Sequence, residues 1–204
     1  MQKTTAADHP SPTPSTAATR QLKRQQRRQL SPAQQQQHAK QVTKYIIRQA
    51  EYKNSQHIAC YLANDSEISP QHIIEHAWQM KKTVYLPILS PLKNSLYFAP
   101  YHKNNRMINN RFGIQEPICS PSEWKKAWQL NLLLLPLVAF DTQGNRMGMG
   151  GGFYDRTLAY LNHFQHWKKP ALIGLAHEIQ KEKKLVIQTW DVPLNKVITE
   201  SGVY

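Results

Sequence analysis

The residues from Leu132 to Arg156 constrain the fold more than any other stretch of this chain. Four leucines in succession, Leu132 to Leu135, end at Pro136 and are followed by Val138, Ala139 and Phe140. A run apolar on both faces and closed by proline reads as a strand buried inside a parallel sheet. The text then turns to glycine: Gly144, Gly148, Gly150, Gly151 and Gly152 are five of the eight glycines in 204 residues. A chain so sparing with glycine places it where the backbone needs positive φ or must come close to a ligand. Directly afterwards, Phe153 to Leu161 reads as a helix. Strand, glycine turn and helix start together offer free backbone N–H groups and a positive helix end, which suits a phosphate or another anion. For the glycines alone, a plain flexible turn is the competing reading.

The side chains around the turn favour the anion. Arg146, just before the glycine cluster, is a bidentate phosphate donor, and Asp155, just after it, is a hard oxygen donor suited to Mg²⁺. The turn is not one of the familiar nucleotide motifs. In Gly148-Met149-Gly150-Gly151-Gly152-Phe153 a phenylalanine stands where the dinucleotide fingerprint has its third glycine, and no Gly-Lys-Ser/Thr follows a glycine loop. Zinc-type Cys/His spacing and a Gly-x-Ser-x-Gly elbow are also lacking. His177, which follows a buried strand, reads as a structural histidine.

The length allows one domain of ordinary size with a real core. The formal charge of +13 is unevenly placed. Residues 1–53 hold ten Lys/Arg against two acidic residues, while the rest holds sixteen against eleven, so most of the excess sits in the N-terminal arm and first helix. Such a balance favours anionic partners: nucleic acid, a membrane surface, or small polyanions such as ATP or a polyglutamate tail. Cys60 and Cys119 are the only cysteines. With no signal-peptide pattern and no apolar run near the ~18 residues of a membrane span, the expectation is a soluble cytoplasmic chain with reduced thiols and no membrane partner.

Residues 1–19, rich in Thr, Ala, Ser and Pro, are expected to be disordered. From Arg20 a short, strongly basic helix begins, carrying Lys23, Arg24, Arg27 and Arg28. Ser31-Pro32-Ala33-Gln34 then makes a capping box for a helix whose buried face holds Val42, Ile46 and Ala50. Ile58 to Leu62 is the first strong strand, followed by the polar turn Asn64-Asp65-Ser66-Glu67. Ser69-Pro70 opens a helix with Ile73, Ile74, Ala77 and Trp78 on one face. Thr83 to Pro87 and Leu96 to Ala99 read as strands, residues 100–122 as an ordered irregular segment, and Trp124 to Trp128 as a helix. The strands at Ala171–Leu175 and Val197–Thr199 follow. This alternation predicts an α/β class: a three-layer α/β/α, Rossmann-like domain over residues 20–204 with a largely parallel central sheet. Ligands in such sheets sit at the carboxyl ends of strands, where Glu67 and the glycine turn would both fall.

Gly144-Asn145-Arg146-Met147-Gly148-Met149-Gly150-Gly151-Gly152-Phe153-Tyr154-Asp155-Arg156 resembles the signature loop of the 5-formyltetrahydrofolate cyclo-ligase family, also called 5,10-methenyltetrahydrofolate synthetases. The resemblance extends over roughly residues 20 to 204, because the Glu67 turn and Asn110-Arg111-Phe112-Gly113-Ile114-Gln115-Glu116-Pro117 also look like family segments. It implies an ATP-dependent ligase that converts 5-formyltetrahydrofolate to 5,10-methenyltetrahydrofolate with release of ADP and phosphate. ATP is needed because a formamide oxygen leaves poorly until it is phosphorylated.

For particular residues, the resemblance implies that Arg146 and Tyr154 are catalytic and that Met147, Gly148, Met149, Gly150, Gly151, Gly152, Phe153 and Tyr154 join Arg146 around ATP. Leu62, Glu67, Phe112 and Tyr154 would meet the folate, and Asp155 and Asp191 would hold Mg²⁺. Family members place a Lys-x-x-x-Arg pair in the first helix. Aligned on Ser31, this chain puts Arg20 on the arginine and Thr16 on the lysine, whereas Arg20 and Arg24 keep the spacing in a shifted register, so both stand as ATP-phosphate candidates. The expected partners are the two small substrates, with the chain a monomer. Two rivals are a nucleic-acid-binding module using the basic helix, and a sugar-phosphate isomerase or CoA-transferase using the glycine loop without ATP.

Overall fold

The computed structural model describes residues 16–163 and 169–204. In chain order the helices and strands are α1 (Thr16–Arg28), α2 (Pro32–Ile46), α3 (Ala50–Lys53), β1 (His57–Ala59), α4 (Gln71–Gln79), β2 (Thr83–Leu89), β3 (Leu96–Tyr101), β4 (Met107–Asn109), β5 (Gln115–Pro117), β6 (Leu132–Pro136), β7 (Ala139–Phe140), β8 (Arg146–Met147), α5 (Phe153–Leu158), α6 (Tyr160–His163), β9 (Ala171–Leu175) and β10 (Lys196–Ile198).

The leucine strand β6 lies at the centre because both of its faces are apolar and both must be covered. It pairs in parallel with β1 on one side and β9 on the other, in a six-stranded sheet of order β10-β9-β6-β1-β2-β3. Only the edge strand β3 runs antiparallel, against β2. Alternation along β6 sorts the core. Leu132 and Leu134 face α2 and α4 through Val42, Ile46, Ile73, Ile74 and Ala77. Leu133 and Leu135 face Leu137, Phe140, Leu158 and Leu194 on the other side. The result is the predicted three-layer α/β arrangement with a mostly parallel sheet.

The Ser31 cap forms as read: its side chain accepts from the Gln34 N–H while the Gln34 side chain takes the Ser31 N–H. Other boundaries differ. The expected disorder of residues 1–15 lies outside the described residues, and Thr16–Thr19 open α1 instead. Ala17 and Ala18 favour helix, and the anchored basic residues behind them hold it in place. The strand expected over Ile58–Leu62 pairs only through Ala59, with one more bond from the Cys60 N–H to the Tyr85 carbonyl. The helix at Ser69-Pro70 starts one residue late, with Pro70 as cap. Trp124–Trp128 is not a helix, because Lys125 exchanges backbone bonds with Phe98 and leaves 3-10 turns at Pro121–Glu123 and Ala127–Gln129. Residues 100–122 contain the hairpin of β4 and β5. Phe140 leaves the main sheet in β7 to pair with β8, and the helix after the glycines breaks at Ala159.

Candidate active site

β1 and β6 are neighbours and parallel, so their carboxyl ends open on the same edge of the sheet. The chain leaves β1 into the Asn64–Glu67 turn and leaves β6 into the glycine segment. Successive strands run from β1 to β2 on one side while β6 lies on the other, which makes this crevice the switch point where α/β folds bind ligands. The first turn has an unusual backbone: Asp65 and Ser66 lie at φ 51° and 60°. Non-glycine residues in the left-handed region cost energy and persist only where the surroundings impose them.

Those surroundings are the arginines of α1. The fully buried Arg27 donates to the Asp65 carbonyl at 2.7 Å, to Asp65 Oδ2 at 3.0 Å and to the Leu137 carbonyl at 3.1 Å, joining the ends of β1 and β6. Arg24 reaches Asp65 Oδ2 at 2.8 Å and Arg28 pairs with Oδ1. Burial alone would raise the Asp65 carboxyl, but hydrogen bonds from Arg24 and Arg28 and the charge of Arg27 hold it below its ordinary range. Lys23 donates to the Ile179 and Lys181 carbonyls and pairs with Glu182. The basic face that suggested RNA is therefore engaged within the protein at Lys23, Arg24, Arg27 and Arg28. Arg20 is placed differently: it donates to the Gly148 carbonyl at 2.9 Å, directly at the glycine turn.

Asp141 builds the start of that turn. Its carboxylate accepts N–H bonds from Gln143, Asn145 and Leu185 and a side-chain bond from Asn145. Gly144, at φ +82°, lets the hairpin close against the chain that carries Asp191: a Cβ there would lie 2.6 Å from the Leu194 carbonyl oxygen. We expect Gly144→Ala to cost about 1–3 kcal/mol in denaturant unfolding from backbone strain alone, before the clash is counted. Unchanged stability would mean that the hairpin does not need this contact.

Arg146 then emerges with only 7 % of its side chain exposed, paired with Asp155 and donating to the Val192 carbonyl. Burial lowers its pKa, while Asp155, Asp191 and Tyr154 act in the opposite sense, so all three lie close enough to feel its charge. Gly150 takes φ +97° with the Arg20 guanidinium 3.6 Å from where a Cβ would stand.

Tyr154 links the two loops. Burial pushes its hydroxyl pKa up, the charge of Glu67 pushes it further, and Arg146 opposes both. Glu67, half-buried, is raised to about 7 by burial, against the Asn64 N–H bond and the charge of Arg27. The rim is aromatic. Phe112, exposed at the tip of the β4–β5 hairpin, meets Phe153 edge-on at 5.6 Å, and Asn110 and the Leu89 N–H hold the hairpin through Glu116. Val186, Ile187 and Trp190, just before Asp191, are exposed.

The structure thus brings together Arg20, Arg146, the Gly148–Gly152 turn, Phe153, Tyr154, Asp155, Asp191, Glu67 and Phe112. Arg24 is drawn off to Asp65. The side chains of Met147 and Leu62 pack into the core, so either would meet a ligand mainly through backbone, while Met149 is exposed. The α5 helix has only six residues, so the turn's own N–H groups outweigh any helix dipole. Sequence reasoning missed Arg27, Asp65 and Asp141. A sharper signal lay in the Asx-type spacing of Asp141 before Gly144, and in an acidic residue within a turn whose chain also carries a dense basic helix.

Fold and site together define an α/β protein with a mostly parallel sheet and a glycine-rich turn that carries a buried arginine within the field of two carboxylates. The 5-formyltetrahydrofolate cyclo-ligase family model matches residues 12–200. The chain is 40 % identical over 182 residues to the 5-formyltetrahydrofolate cyclo-ligase of Escherichia coli, covering 89 % of this chain and 98 % of that one. It is 40 % identical over 175 residues to the enzyme of the same name from Haemophilus influenzae, covering 84 % and 90 %. The solved structure of Aquifex aeolicus 5,10-methenyltetrahydrofolate synthetase superposes with a TM-score of 0.77 at 25 % identity, covering 92 % of this chain and 91 % of that one. The chain belongs to the 5-formyltetrahydrofolate cyclo-ligase family and is an enzyme of that class.

Proposed function

We propose that the chain converts 5-formyltetrahydrofolate and ATP to 5,10-methenyltetrahydrofolate, ADP and phosphate, with the nucleotide's phosphates on the glycine turn and the pterin at Glu67. The observation that carries this reading is that the two substrate loops lie side by side: Arg27 ties the Asp65 turn to the Leu137 carbonyl just after β6, and Tyr154 feels the charge of both Arg146 and Glu67. In the first step the formyl oxygen attacks the γ-phosphorus, and the bond to the β,γ-bridging oxygen breaks to release ADP. The N10 amine then attacks the activated formyl carbon. The carbon–oxygen bond to phosphate breaks, and the amine proton departs with the phosphate.

The protein's task in both steps is positioning and charge stabilisation. Arg146 and the turn N–H groups face the transferring phosphoryl group, where fixed donors in a half-buried site act strongly. Arg20, already at the Gly148 carbonyl, is the α1 residue placed to reach phosphate. Glu67 accepts from the pterin's donor edge, and Phe112, Phe153 and Tyr154 offer flat surfaces to the heterocycle. Asp155 and Asp191 supply the hard oxygen donors that Mg²⁺ prefers, and both lie near Arg146. When bound, Mg²⁺ would neutralise phosphate charge. The Asp155→Asn variant should shift the Mg²⁺ titration of activity to higher concentration; an unshifted titration would remove Asp155 from the metal site. Cys60 and Cys119 are both free, in keeping with a cytoplasmic enzyme, and no helix among the described residues is long and apolar enough to cross a membrane.

Because burial raises the Glu67 carboxyl to about 7, its protonated form dominates at lower pH, where one oxygen becomes a donor and the charge that favours the pterin's paired donors is lost. We expect kcat/KM for the folate to fall toward tenfold per pH unit below about 7. The Glu67→Gln variant should lose that limb and carry a raised KM at every pH. An identical pH profile in the variant would assign the limb to another group. The overall reaction is tested by the absorbance of the methenyl product on mixing protein, 5-formyltetrahydrofolate and Mg·ATP. Product should form with ATP and not in the ATP-free control; equal rates in both would overturn the reading.

A further inference from the structure

Beside the Glu67 turn, at Ser66, three side chains from distant parts of the chain converge. His38 comes from α2, His177 from the segment after β9, and Glu200 from just beyond β10. Their ligand-capable atoms all lie within 4.8 Å of one another. His38 Nδ1 is 2.9 Å from His177 Nδ1 and 3.4 Å from Glu200 Oε1.

The proton inventory of this cluster is short. His177 Nε2 faces the Ser66 carbonyl at 3.2 Å, and a carbonyl only accepts, so Nε2 carries the hydrogen. His177 Nδ1 therefore presents a lone pair. Glu200 is a carboxylate whose oxygens already accept from the Glu178 N–H at 3.2 and 3.0 Å. One proton, on His38 Nδ1, is left to serve both His177 and Glu200.

We propose that these three residues form a site for a single late first-row divalent cation, Zn²⁺ in particular, separate from the carboxylates at the glycine turn. Two imidazole nitrogens and a carboxylate oxygen are the three-ligand set that leaves a fourth tetrahedral position for water. Imidazole selects zinc-like ions over Mg²⁺. The backbone carbonyl holding His177 Nε2–H is the outer contact by which proteins fix the tautomer of a metal-bound histidine. An entry path exists, since the His38 and Glu200 side chains are 19 % and 16 % exposed while His177 is fully buried. Zinc–nitrogen bonds of about 2.0–2.1 Å in tetrahedral geometry need the two nitrogens roughly 3.3 Å apart. The His38 ring, which unlike His177 reaches the surface, has to open only by that margin. The buried Arg27 nearby has its charge met by Asp65. Bound metal would brace Ser66, one residue before Glu67.

The test uses the full chain, stripped with chelator and desalted, then titrated with Zn²⁺ in excess Mg²⁺ against a chromophoric zinc indicator. Co²⁺ in place of Zn²⁺ reports ligation through its visible d–d absorption. One equivalent should bind, and His38→Ala and Glu200→Gln should each weaken it at least about tenfold. Asp155→Asn should leave it unchanged. Should His177→Ala fail to fold, the two partly exposed positions still decide. Binding by the unaltered chain no tighter than by His38→Ala, or stoichiometric binding that survives both substitutions, would overturn the site, as would loss on Asp155→Asn alone.

Discussion

Arg146→Ala is expected to lower kcat by about two to three orders of magnitude at saturating ATP, the usual loss when a fixed donor to developing charge is removed. The guanidinium is almost enclosed, beside Asp155 and within the field of Asp191, so little water screens it. The stability cost should be small, about 1–2 kcal/mol. Asp155 keeps 31 % of its side chain exposed and can turn to solvent once its partner is gone. Arg146→Lys should not restore turnover, because an ammonium cannot reproduce the planar two-donor fork. A variant melting normally and turning over at a near-normal rate would place the phosphoryl group elsewhere.

The largest stability effect is expected at Arg27. Arg27→Met removes a fully buried cation and leaves Asp65, whose side chain is only 12 % exposed, short of its inner partner. Breaking a buried pair from one side costs about 3–5 kcal/mol. For a chain of this size that is a fall in melting temperature of about 6–20 °C. The Leu137 carbonyl keeps a bond from Gln180, so the loss falls mainly on Asp65 and on the left-handed backbone at Asp65 and Ser66. Combining Arg27→Met with Asp65→Asn should recover part of the deficit, since the two residues act as a unit. The same variant should raise the KM for folate more than it lowers kcat, because the turn it relaxes carries Glu67. Additive losses in the double variant would show that the pair is not coupled.

What was legible in the sequence was what local pattern controls. The leucine run announced a doubly covered strand because both of its faces are apolar, and Ser31-Pro32 announced a helix start because capping is a short-range event. The glycine turn with Arg146 and Asp155 is contiguous, so its place after the leucine strand and the nearness of the two charged residues could be read directly. What escaped depends on long-range pairing. Arg27 and Asp65 are 38 residues apart, and His38 and His177 are 139 apart, so no local pattern around either member picks out its partner. Arg24 is a related case: its spacing from Arg20 suits a phosphate, and the side chain is also paired with Asp65, 41 residues away, which its own neighbourhood does not announce. Trp124 to Trp128 has a helix-like composition, but backbone bonds to Phe98 outcompete local propensity.

The most direct test of the account is a crystal structure of the chain with Mg²⁺ and a non-hydrolysable ATP analogue. The account predicts the terminal phosphates on the N–H groups of the Gly148–Gly152 turn, within hydrogen-bonding reach of Arg146, with the metal on Asp155 and Asp191. A nucleotide seated anywhere else, with that turn empty, would contradict it.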